Sequence, residues 1–75
     1  MTRQDFLLEL QDMLQSESAM QEDTVLPDLE EWDSLAFMVL IAYFDKSFAL
    51  RVTFVDLKDC KTPADLIDLA RGAIA

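Results

Sequence analysis

The stretch Glu30 to Phe44, EEWDSLAFMVLIAYF, decides how this sequence is read. It opens on acids and a tryptophan. At Asp33-Ser34 it turns into a run of apolar residues with no Gly or Pro to break it. Leu35, Phe37, Met38, Val39, Leu40, Ile41, Tyr43, Phe44 and, further on, Phe48 predict a helix from Ser34 to about Phe48. A helix that is apolar nearly all round is central to its bundle and touches several others. The surplus also fits a face reserved for a partner. Asp-Ser is a common pair at such a start, because both side chains accept from free backbone N–H groups. Taken by itself, Ser34 therefore reads as an N-cap.

Upstream lies SESAMQEDTVLPDLEEWD, residues 16–33. Its periodicity is poor, and Pro27 blocks ordinary helix continuation and biases Leu26 towards extended backbone. Loops this long inside a small domain are uncommon and are usually functional or disordered. Val25, Leu26, Leu29 and Trp32 are expected to pin it to the core, with a short helical turn around Asp28 to Glu31. Before it, a first helix is expected from about Asp5 to Gln15. Phe6, Leu7, Leu10, Met13 and Leu14 fall on one stripe of it, and Thr2 with Asp5 forms the start of a capping box.

Downstream, ALRVTFVDLKD alternates at Leu50, Val52 and Phe54, but a lone strand has nothing to pair with. A loop and a short helix are expected instead, with Thr53 as the cap and Phe54, Val55 and Leu57 pointing inward. The last helix has the clearest start: Thr62 at the N-cap, Pro63 at the first helical position and Asp65 three after the cap. Leu66, Ile67, Leu69, Ala70 and Ile74 give its apolar side, and Gly72 weakens its end.

Seventy-five residues make one domain, spanning 1–75, near the lower size limit for a single unstapled core. One Gly and two Pro leave little for the tight turns of a β-sandwich, so an all-α bundle is expected. Fifteen acidic residues against six basic ones give a net charge of −9. That repels nucleic acid and anionic membranes and favours basic protein partners, though it serves solubility equally well. The apolar run Leu35 to Phe44 is too short to span a bilayer. The N-terminal stretch is amphipathic and carries acids, unlike a signal peptide. A cytoplasmic, monomeric protein is expected.

Little chemistry is open to the chain alone. With no histidine, the usual general base and the commonest nitrogen ligand for zinc are missing. Ser34 has no partner for a hydrolytic triad. Cys60 is the one cysteine, flanked by Lys58 and Lys61, which favour a thiolate. A lone cysteine in a small domain is nonetheless a buried small hydrophobe before it is a reactive thiol. DLEEWDSL lacks the glycine and ligand spacing of a calcium loop, and no metal site is expected. What distinguishes Ser34 is its setting, after a long acidic loop and at the start of a helix. There the free N–H groups and partial positive charge favour an attached phosphodiester, such as the root of a swinging cofactor arm.

At these residues the sequence resembles the acyl carrier and peptidyl carrier proteins, four-helix domains that bear 4′-phosphopantetheine on a serine. Asp33-Ser34-Leu35 matches their Asp-Ser-Leu, and Trp32 to Leu35 is similar to the Trp-Asp-Ser-Leu of many stand-alone carriers. Thr24, Leu26 and Leu29 resemble the loop before the motif. Phe48-Ala49-Leu50 resembles the Phe-Gly-Ile that closes the second helix, and Thr62 to Leu66 the opening of the fourth. The resemblance implies an acyl-carrier-like four-helix bundle with a short third helix and 4′-phosphopantetheine covalently on Ser34. It implies that Asp33 helps a phosphopantetheinyl transferase hold its metal and CoA, and that Leu35 is the apolar contact beside the arm. It makes Met38 a partner-facing hydrophobe, and Phe54 and Leu57 lining for a chain held between the second and third helices.

The chain also departs from that pattern. Glu31 replaces a common Gly. Ala36 and Val39 replace expected acids, and Phe37 adds apolar surface. The acids gather instead at Asp28, Glu30, Glu31 and Asp33. Ala49 in place of Gly costs about 1 kcal/mol if that residue is left-handed. The implied function is a discrete, non-enzymatic carrier of an acyl or aminoacyl thioester. It serves acyl- or aminoacyl-loading and acyl-transfer enzymes of fatty-acid, polyketide or similar biosynthesis. Partners are expected at Phe37, Met38, Val39, Glu30 and Glu31. The alternative is an acidic helical adaptor without a prosthetic group, binding through Phe37, Val39 and Tyr43, with Ser34 only a cap.

Overall fold

The computed structural model describes residues 1–74. The apolar run folds where its pattern places it, as helix α2 (Ser34–Phe48). One side of α2, Ala36, Leu40 and Phe44, is buried. The helix ends at Ala49, which is left-handed at φ 53° and donates its amide to the Asp45 carbonyl at 3.0 Å. An L-residue with a Cβ adopts that backbone at a cost that glycine avoids.

Helix α1 (Arg3–Leu14) starts two residues earlier than its periodicity suggests and stops one sooner. Thr2 caps it, its Oγ1 accepting the Asp5 amide at 3.1 Å. Gln15 is the left-handed closing residue rather than the last helical one. Its amide and that of Ser16 donate to the Asp12 and Gln11 carbonyls, both at 3.1 Å, the paired closure that satisfies otherwise orphaned carbonyls. Phe6, Leu7, Leu10 and Leu14 face the core, as their spacing requires.

Helices α3 (Phe54–Lys58) and α4 (Pro63–Leu69) are short, and each begins with local capping chemistry. Thr53 Oγ1 accepts the Asp56 amide at 3.2 Å while Asp56 accepts the Thr53 amide at 2.9 Å, a reciprocal capping box. Asp65 accepts the amides of Lys61 and Thr62 at 2.8 and 3.2 Å. On α3 only Leu57 is buried. Phe54 and Val55, expected to point inward, are exposed. Five residues make barely more than one turn, so one inward position is all such a helix offers. Among the described residues no strand forms.

The long loop is held down as expected by Leu26, Leu29 and Trp32, with Met20 in the core and Val25 outside it. Its helical turn is a 3₁₀ turn at Leu26–Asp28, not at Asp28 to Glu31. Pro27 starts the turn instead of merely blocking a helix, because its fixed φ suits the first turn position. Leu26 is fully buried, and its amide donates to the Lys61 carbonyl at 2.8 Å. The Ala64 amide donates back to the Glu22 carbonyl at 3.1 Å. Arg3 pairs with Glu22 across the same junction. Leu29 and Trp32 pack against the core, Val25 is exposed, and Met20 takes a buried place that the loop's weak periodicity concealed.

The core is one cluster drawn from all four helices and this loop. Phe6, Leu10, Leu40, Phe44, Leu57 and Leu66 have no exposure at all. Cys60 joins them as a buried free thiol, its Sγ 3.3 Å from the Asp56 carbonyl oxygen. Burial first, then the nearby carboxylates of Asp65, Asp56, Asp59 and Asp68, push its pKa up to about 11. The flanking lysines do not prevail, and the thiol behaves as core.

Candidate functional site

The site is built around the N-terminus of α2. Asp33 is its N-cap: backbone extended, its carbonyl accepting the Phe37 amide and its Oδ1 the Ala36 amide, both at 3.0 Å. Ser34 is thus the first helical residue and not the cap, which corrects the simplest reading of the Asp-Ser pair. Its side chain is exposed, and among the described residues its hydroxyl has no hydrogen-bond partner. The amides of Ser34 and Leu35 have no acceptor within their own helix, as in any first turn. A hydroxyl here sits free, beside unpaired N–H groups and the positive end of a fifteen-residue helix.

Of the residues singled out with Ser34, Leu35 is 71% exposed, and Met38 and Val39 are exposed too. Glu30 is exposed and Glu31 half-buried, both in the turn before the cap. Ala36, at a position where an acid was expected, is buried, so no acid fits there without a cost in desolvation.

Phe37 does not join the exposed set. It is half-buried, 4.8 Å from Trp32 and 5.8 Å from Phe54 between ring centroids, edge-on to both. The three rings make a ladder from the loop before the site, across α2, to the start of α3. Tyr43 is also engaged within the bundle. Its ring packs on Phe6, Phe44 and Phe48, and its hydroxyl donates to Glu9 on α1. Burial and then Glu9 raise its pKa well above the ordinary phenol value. Two of the three anchors of the adaptor alternative, Phe37 and Tyr43, are therefore largely committed to the fold.

Two depressions lie beside α2. One, of about 310 Å³, lies between α1 and α2, with Met13, Leu14, Leu35 and Val39 as apolar lining and Glu31 and Asp33 as its acids. The other, of about 410 Å³, is lined by Met38, Ile41, Ala42, Asp45 and Arg51. Sequence reading missed the contribution of Met13 and Leu14, which depends on how α1 crosses α2. It also missed Ile41, Ala42 and Arg51. For Ile41 a signal was present: Ser34, Met38, Ile41 and Asp45 recur at i, i+4, i+7 and i+11, one stripe of a helix.

Chemically, the arrangement offers an accessible hydroxyl at the start of a helix. A protein-family model described as a phosphopantetheine attachment site matches residues 6–70. Comparisons with curated proteins and with solved structures give no match.

Proposed function

We infer the function from one premise: the chain belongs to the phosphopantetheine-attachment family, the carrier domains that bear 4′-phosphopantetheine covalently on a serine. We propose that this serine is Ser34 and that the protein is a discrete acyl carrier, itself without catalytic activity. It holds an acyl or aminoacyl group as a thioester and presents it, in the cytoplasm, to separate loading and transfer enzymes. The observation that carries the assignment is the division of labour at the head of α2. Asp33 performs the capping, and Ser34, next to it, keeps an exposed hydroxyl with no structural duty.

The loading step balances without any group from this chain except that hydroxyl. Ser34 Oγ attacks the β-phosphorus of CoA in the transferase. The P–O bond to the nucleotide half breaks, 3′,5′-ADP leaves, and the hydroxyl proton passes to the transferase. The new phosphodiester lies where the free amides and partial charge of the helix start favour an anion. Asp33 uses Oδ1 for its cap. Its other oxygen remains for the transferase's metal and CoA. Leu35 is the apolar contact beside the arm, and Met38 and Val39 with Glu30 and Glu31 form the surface that meets partner enzymes.

The test is intact mass after incubation with CoA and a broad-specificity phosphopantetheinyl transferase, with Ser34→Ala alongside. The expected result is a gain of one phosphopantetheine on the parent and none on the variant. A gain on Ser34→Ala would move the attachment elsewhere. No gain with several transferases, on folded protein, would favour the adaptor without a prosthetic group.

A further inference from the structure

We propose that the arm rooted at Ser34 rests outside the bundle, in the open groove of Met38, Ile41, Ala42, Asp45 and Arg51, and not between α2 and α3. We propose also that this groove selects a short acyl cargo bearing a polar group. The inference rests on the carrier reading and concerns where that carrier keeps its load.

Three observations carry it. The groove is in line with the attachment point, since Ser34, Met38, Ile41 and Asp45 share one stripe of α2. Its length suits the arm: Ser34 to Asp45 is three helical turns, about 16 Å, and an extended phosphopantetheine is slightly longer. The seam between α2 and α3 is occupied by the protein's own side chains. Phe37 bridges Trp32 and Phe54 edge-on, and Leu57 behind them has no exposure. An acyl chain entering there would have to break the ladder.

The end of the groove sets the cargo. Met38, Ile41 and Ala42 give an apolar floor under the arm, but the groove is also lined by Asp45, three turns of α2 beyond Ser34, and by Arg51, both exposed. An arm lying along the floor brings its thioester to those two charges. A long alkyl tail there would cover charged groups without pairing them, which is unfavourable. A hydroxyl, amino or carboxyl substituent near the thioester finds a charged hydrogen-bond partner instead.

The experiment uses the full chain, uniformly labelled with ¹³C and ¹⁵N, loaded in turn from CoA, malonyl-CoA and octanoyl-CoA. Intact mass establishes loading first. The expected result is a methyl shift at Met38 and Ile41 on loading from CoA, with Met13, Met20 and Leu57 unmoved. Malonyl loading should add a further shift at the Ile41 methyls that Arg51→Gln removes, while the octanoyl tail adds none at Leu57. Length-dependent shifts at Leu57 and Phe54 would overturn the proposal in favour of the seam. So would shifts confined to Ser34 and Leu35, which would mean a free arm. An absent mass gain would overturn the carrier reading itself, and the groove's role with it.

Discussion

The Ala36 amide donates to Asp33 Oδ1 at 3.0 Å, and this one bond relieves Ser34 of the capping role that its position suggests. A side chain that accepts the amide at the third helical position is the ordinary N-cap, and losing it costs about 1 kcal/mol. Asp33→Ala is therefore expected to lower stability by roughly that amount. Ser34→Ala should stay within about 0.5 kcal/mol of the parent, as exposed substitutions usually do. Urea denaturation of both variants decides it. A 1 kcal/mol loss in Ser34→Ala would restore the serine to the cap.

Ala49 gives the second prediction. It closes α2 at φ 53°, and its side chain is exposed, so removing the Cβ costs little packing. Ala49→Gly should stabilise the protein by about 0.5–1 kcal/mol through relief of left-handed strain, less the extra entropy of an unfolded glycine. Gln15→Gly, at the same φ, provides an independent comparison. Thermal or urea unfolding that shows no gain at either site would argue that neither strain is stored.

These two sites mark how far the sequence was legible. The span of helix α2 could be read closely, because its apolar run is a local signal, although the cap falls on Asp33 and not on Ser34. The start of α4 was equally plain from Thr62-Pro63 and Asp65. The loop was not, since Met20 and Val25 exchange their expected burial through contacts made with distant parts of the chain. The same holds at the site. Ser34 and Leu35 stand out in the sequence, but that Phe37 turns inward depends on where Trp32 and Phe54 are brought. A helical wheel gives the angle of a side chain and says nothing of what packs against it.

That ladder makes a third prediction. Edge-to-face aromatic pairs contribute about 0.5–1.5 kcal/mol beyond their buried area. A double-mutant cycle of Phe37→Leu and Phe54→Leu should give a coupling energy in that range. Trp32→Leu with Phe54→Leu, which do not form a pair, should couple less. Equal or absent coupling in both cycles would mean that the rings are neighbours without a specific interaction.

Cys60 sets the pH dependence on the alkaline side. Its folded pKa is raised from 9.0 to about 11, so the folded state holds a proton that the unfolded state gives up. The sign follows: the stability is fully present below the unfolded pKa and is lost as pH rises from about 9 to about 11. The loss is on the order of 2 kcal/mol. Tyr43 is raised as well, so it adds a second loss that begins near pH 10.0 and continues upward. Cys60→Ala should flatten the decline that begins near 9 and leave the later one. Measured unfolding free energies that fall equally in the parent and the variant would assign the whole effect to Tyr43 or to net charge.

Recognition by a transferase at the start of α2, as proposed, can be tested apart from the fold. Leu35 is 71% exposed beside Ser34, and Val39 is exposed one turn further, above Met13 and Leu14. Neither supports the core, so Leu35→Ala and Val39→Ala should leave stability within about 0.5 kcal/mol. An apolar residue that fills a partner's pocket is worth more than that, often above 1 kcal/mol. The rate of loading at low carrier concentration should then fall about tenfold for Leu35→Ala. Val39→Glu should distinguish partners, because it places an acid where this chain has none. Binding to a partner with a basic surface should strengthen and become more sensitive to salt. Binding to a partner with an apolar groove should weaken, because the new charge is desolvated there. If Leu35→Ala loads as fast as the parent while Glu31→Gln does not, recognition rests on the acidic turn before the cap. The exposed apolar start of α2 would then serve the downstream enzymes alone.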